Sequence, residues 1–240
     1  MLWQTEAVGW NVMSQPNPWP FTNRKAGEAF LVDPEGGPGP GVLVLHSWWG
    51  LTPWVRDFCR RLASVGFTAL APDLFDGVQP MTEAEGEAVL GGLDPDELSG
   101  LVMSSAQTLR AASVDGEHPI AVVGFSMGAS LGLWISARMT TEIGSVVAFY
   151  GTQSIDFDDA TAVYQGHFAE DDHMVSEEER VVTESFIRLG GRETDFHLYP
   201  GTGHWFFEQG DNYDAEAAAL AWERTERFLQ QTVGAEARRS

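Results

Sequence analysis

The chain has 240 residues, 43% of them hydrophobic, a length at which a single core can still grow, so one large α/β domain over 1–240 is expected. Fourteen Lys and Arg stand against 35 Asp and Glu, a formal charge of −21 with Lys25 the sole lysine, which excludes nucleic acid and anionic membranes as partners by repulsion. No apolar run reaches the roughly 20 residues that span a bilayer, no basic residue precedes Arg24, and a lone Cys59 permits no internal disulfide or cysteine-built metal site, so a cytoplasmic protein is expected.

Short apolar runs alternate with amphipathic stretches, the pattern of a mostly parallel sheet with helices on both faces. Residues 26–32 read as an antiparallel edge strand and 42–45 as the first core strand. His46-Ser47-Trp48-Trp49-Gly50-Leu51 follows as a loop in which Gly50 lets the chain turn tightly; its two tryptophans read equally as packing or as a cover over substrate. Thr52 and Pro53 then cap a helix over 54–65, where Val55, Phe58, Cys59 and Leu62 share a face, making Cys59 a core residue. A strand over 68–71 and a helix opened by Asp94-Pro95-Asp96-Glu97 and running to 110 come next.

The strand at 120–123 enters Gly124-Phe125-Ser126-Met127-Gly128, with a helix expected over 129–138, the strand–turn–helix setting of a nucleophile elbow. A Cβ at Gly124 or Gly128 would collide with neighbouring backbone, and the turn would lift Ser126 to the sheet edge with a helix N-terminus behind it. A serine hydroxyl needs a base to become a nucleophile. Further strands at 145–148, 162–166 and 195–198 precede a last helix over 214–231, and the glycine-rich loop after 195–198 carries His204. His46, His118 and His197 read as structural, and His167 and His173 as less well placed. The orienting acid belongs between serine and base in chain order; Asp172 is preferred to Asp171 because Val175, three positions on, can anchor its loop. One oxyanion donor is the N–H of Met127 and the other belongs to the 46–51 loop.

These motifs, together with Ala71-Pro72-Asp73-Leu74, Phe149-Tyr150-Gly151 and the alanine-rich stretch 217–229, make the chain resemble the dienelactone hydrolase family from about Phe30 onward. The resemblance implies an α/β-hydrolase fold, Trp48 as the second oxyanion donor, and no metal or organic cofactor. The best-known members carry cysteine where Ser126 stands and glutamate where Ser47 stands, so a serine-based activation by His204 is expected here. They also bind a substrate carboxylate through arginine, whereas Phe206, Phe207 and Glu208 follow the histidine in this chain, which points to a neutral ester. Trp49, Trp54, Phe125 and Trp205 are expected to line an apolar or aromatic acyl site. A cyclic ester or lactone is the alternative substrate, and a ligand-binding module that kept the elbow without its activity is the alternative class.

Overall fold

The computed structural model describes residues 28–114, 116 and 118–234. Among them, seven strands form one sheet: β1 (Ala29–Val32), β2 (Gly41–Leu45), β3 (Thr68–Pro72), β4 (Ile120–Phe125), β5 (Ile143–Phe149), β6 (Val163–Asp171) and β7 (Thr194–Gly203). Their order is β1-β3-β2-β4-β5-β6-β7; β1 pairs antiparallel with β3, and every other neighbour is parallel. The central strands β2, β3 and β4 are buried at every position, as a parallel sheet covered on both faces requires. The edge strand expected over 26–32 is β1; its first two positions lie outside the described residues.

Six helices cover the sheet: α1 (Pro53–Ser64), α2 (Glu83–Gly91), α3 (Pro95–Ala112), α4 (Met127–Ser136), α5 (Glu177–Leu189) and α6 (Ala215–Thr232). Alternation along β4 separates the two layers. Val122 meets Gly132 of α4, while Phe125, of opposite parity, meets Phe58 of α1. On the α1 side, α6 packs alongside: the Phe58 and Trp222 rings are 5.7 Å apart and the Arg61 guanidinium lies 3.9 Å over Trp222. On the other, α3 and α4 pack together against the centre of the sheet. Cys59 is fully buried on α1, and burial pushes its thiol up to about 12, so it is inert at neutral pH.

Chain direction reverses about β2. From β2 the chain passes to β3 on one side, and it later returns to β4 on the other. Loops leaving the C-terminal ends of β2 and β4 therefore diverge and leave a crevice between them, where open α/β sheets bind ligands. The 46–51 loop and Ser126 both lie at that crevice, since Leu45 pairs with Gly124. Among the described residues no helix is long and apolar enough to cross a membrane.

Candidate active site

Ser126 sits between the end of β4 and the first residue of α4 with φ +51° and ψ −114°, a backbone conformation an L-residue holds only under constraint. The constraint is contact. A Cβ on Gly124 would lie 2.2 Å from the Gly128 carbonyl oxygen, and one on Gly128 would lie 2.1 Å from that of Leu45, so both must be glycine for the turn to close. Ser126 N–H donates to the Phe149 oxygen at 2.9 Å, tying the turn to β5. The serine side chain is left half-buried rather than sealed in.

His204 and Asp172 arrive from neighbouring strands. β6 and β7 stay paired as far as Asp171 and Gly203, so the next residue of each strand emerges beside the other. His204 Nδ1–H donates to Asp172 Oδ1 at 2.9 Å and Oδ2 at 2.8 Å, and Nε2 lies 2.9 Å from Ser126 Oγ. Asp172 is itself held by the N–H groups of Met174 and Val175, which donate to Oδ1 at 2.8 and 2.9 Å. Both side chains of this pair are almost wholly buried, whereas Asp171 and Glu170 are exposed. With Nδ1 committed as donor to a carboxylate, Nε2 presents its lone pair to the serine hydroxyl, the tautomer that can take that proton.

Met127 and Trp48 are the two residues expected as backbone donors. Met127 is the first residue of α4, where helical geometry leaves the N–H without an intrahelical acceptor. Trp48 follows Ser47, whose carbonyl accepts from Gly50 N–H at 3.2 Å and from His46 Nδ1 at 2.6 Å. In a trans peptide the N–H points opposite to the C=O, so these two bonds fix the direction of the Trp48 N–H. His46 is structural, as read from the sequence: its Nε2 accepts from Leu74 N–H at 3.0 Å, and burial lowers its basicity to about 4, keeping it neutral.

The four expected substrate contacts divide. Trp205 lies edge-on to His204 with ring centroids 4.6 Å apart, and Trp48 and Trp49 pack against Trp205 in tilted pairs at 5.5 and 5.1 Å. Trp49 thus touches Trp205, which in turn borders the imidazole. Phe125 turns away: as the last residue of β4 it points to the α1 face, is fully buried, and packs on Phe58, Phe149 and Phe207. Trp54 joins the same cluster, 5.1 Å from Phe125, and lines a cavity of about 380 Å³ with Phe58, Arg61, Phe207 and Tyr213. That cavity includes neither Ser126 nor His204. The expectation of Phe125 as an acyl contact is therefore corrected, since strand alternation turns it to the α1 face; Trp54, on α1, lines a cavity apart from Ser126 and His204 and is not brought to the site.

Two further neighbours of the site are given no role in it by the sequence reading. His173, half exposed, stands 6.1 Å from His204 and 5.8 Å from Trp205, with Glu83 of α2 3.7 Å away. Glu208 is fully buried behind the site. Among the described residues no group of His, Cys, Asp and Glu is arranged to hold a metal ion.

A constrained serine at the reversal point of a parallel sheet, served by an imidazole and a carboxylate from the next loops, belongs to the α/β-hydrolase architecture. Comparison narrows the class. The dienelactone hydrolase family model matches residues 28–233, and the chain belongs to that family and is a carboxylic ester hydrolase. It is 27% identical over 213 residues to the protein usf of Aquifex pyrophilus, covering 84% of this chain and 92% of that one. It is 30% identical over 223 residues to a protein of Azospirillum brasilense assigned as a carboxymethylenebutenolidase, covering 86% and 94%. Among solved structures, a dienelactone hydrolase-like promiscuous phosphotriesterase from metagenomic libraries superposes with a TM-score of 0.73 at 25% identity, covering 83% of this chain and 89% of that one.

Proposed function

We propose that the protein hydrolyses a small, neutral carboxylic ester through an acyl-enzyme on Ser126. One observation carries the reading: Ser126 Oγ, His204 Nε2 and Nδ1, and the Asp172 carboxylate form a continuous chain of contacts at 2.8–2.9 Å. His204 takes the hydroxyl proton as Ser126 Oγ attacks the ester carbonyl, and Asp172 stabilises the imidazolium. The N–H groups of Met127 and Trp48 hold the oxyanion, each worth about 3 kcal/mol in a water-excluded site. Imidazolium then protonates the leaving alcohol, and a water activated by the same nitrogen resolves the acyl-enzyme.

The neutral substrate follows from what surrounds the histidine. Trp205 packs edge-on to it, and Phe206 and Phe207 of the following turn are buried. That turn supplies no arginine or lysine to hold a substrate carboxylate. Family membership supports a cyclic ester as the second reading. Ser126→Ala is expected to cut p-nitrophenyl acetate turnover by about 10⁴-fold or more and to abolish fluorophosphonate labelling, with the fold retained by circular dichroism. Turnover preserved in that variant would end the proposal. A panel of open-chain esters and lactones, each with and without a carboxylate, separates the two substrate readings.

A further inference from the structure

Glu208 lies four residues beyond His204 and is fully buried, yet among the described residues no arginine, lysine or histidine forms an ion pair with it. A carboxyl in such a place costs free energy unless its oxygens are used. Both are. Ser47 Oγ–H donates to Oε2 at 2.8 Å, and Tyr150 O–H donates to Oε1 at 2.9 Å.

The two partners are not incidental core hydroxyls. Ser47 is the residue before Trp48 and supplies the carbonyl half of the peptide whose N–H the proposed mechanism assigns to the oxyanion. Its Oγ also receives a long contact from Trp49 N–H at 3.5 Å. Tyr150 follows the last residue of β5 at φ +39°, a strained value for a tyrosine, and its ring lies 4.9 Å from the His204 ring. Its neighbours on either side press on the elbow: Phe149 O accepts the Ser126 N–H, and a Cβ on Gly151 would lie 2.4 Å from the Ser126 oxygen. One carboxyl thus joins the loop after β2, the loop after β5 and the loop carrying His204.

We infer that Glu208 is a positioning residue, which holds the Ser47–Trp48 peptide and the Tyr150 ring in register with His204 without touching substrate. The inference rests on the acyl-enzyme reading, since it assigns Glu208 to the same oxyanion and base. Burial raises its carboxyl to about 7 and burial also keeps the Tyr150 phenol protonated. Either form of Glu208 keeps both bonds, because each hydroxyl can donate or accept. A neutral isostere able to donate and accept should therefore serve, and an apolar one should not.

The test compares Glu208→Gln with Glu208→Leu in p-nitrophenyl acetate hydrolysis. A donor displaced by a fraction of an ångström forfeits much of its contribution, so Glu208→Leu is expected to lose about 10- to 100-fold in kcat with KM within about twofold of wild type. Glu208→Gln is expected to stay within about threefold in kcat, the rescue that distinguishes a hydrogen-bond role from filled volume. Should Glu208→Leu not fold, Ser47→Ala and Tyr150→Phe each delete one bond; both are expected to lower kcat, and their combination to cost less than the product of the two. Undiminished kcat in Glu208→Leu or in both of those variants, or a loss confined to KM, overturns the inference alone. Wild-type protein that takes up no fluorophosphonate at Ser126 overturns the acyl-enzyme reading and this inference with it.

Discussion

Ser126 holds a conformation that costs on the order of 1–3 kcal/mol, and the glycines at 124, 128 and 151 show how the surrounding backbone enforces it. That site was legible because its punctuation is local: glycines around a serine, a glycine before a histidine, an aspartate ahead of an anchoring valine. Glu208 carries no such mark. Its partner Ser47 is 161 positions away, and from the sequence Glu208 reads only as part of the turn that disfavours a substrate carboxylate, with no sign of its burial or its partners. Its burial has a thermodynamic signature. The folded protein favours the protonated acid, raised from 4.5 to about 7, so this contribution to stability is present in full below about pH 4.5 and is lost as pH rises through about 7. A shift of that size corresponds to about 3 kcal/mol. Urea midpoints are expected to fall between pH 5 and 7.5 in the wild type and to fall less steeply in Glu208→Gln; parallel slopes would contradict the assignment.

At the level of elements, the core strands and α1, α3, α4 and α6 could be read from periodicity and caps, while the ends of β6 and β7 and the whole of α2 could not. β6 and β7 run on to Asp171 and Gly203, beyond the expected 162–166 and 195–198, because pairing resumes at Asp171 and Gly203 after a register shift that takes in Pro200 and Gly201, which locally signal a turn. α2 has little apolar periodicity, and its one buried residue is Gly86, lying against the Trp48 ring. α5 was legible in principle. Ser176 and Glu179 form a capping box, with Ser176 Oγ accepting Glu179 N–H at 3.2 Å and Glu179 Oε2 accepting Ser176 N–H at 2.8 Å. Ser176→Ala is expected to destabilise the protein by about 1 kcal/mol in urea titration, the worth of an N-cap; an unchanged midpoint would show that the box contributes nothing.

Across the whole molecule, the reversal of strand order about β2 determines where chemistry can occur; the α/β alternation anticipated the helix-covered sheet but not that order. The charge of −21 acts at this scale too, as self-repulsion of the folded surface. Melting temperature is expected to rise with KCl and to level off by about 0.3 M, where screening reaches within a few ångströms. A rise continuing into molar KCl would instead mark adaptation to high salt.

The pairing of Asp171 with Gly203 also separates distance along the chain from distance in space. Asp172 and His204 are 32 positions apart with a whole helix between them, yet the β6–β7 rungs bring them together and the N–H groups of Met174 and Val175 steady the carboxylate. Variation within α5 itself is thereby expected to leave proton transfer intact. A single residue inserted within β6 or β7 would turn one partner to the wrong face and silence the enzyme.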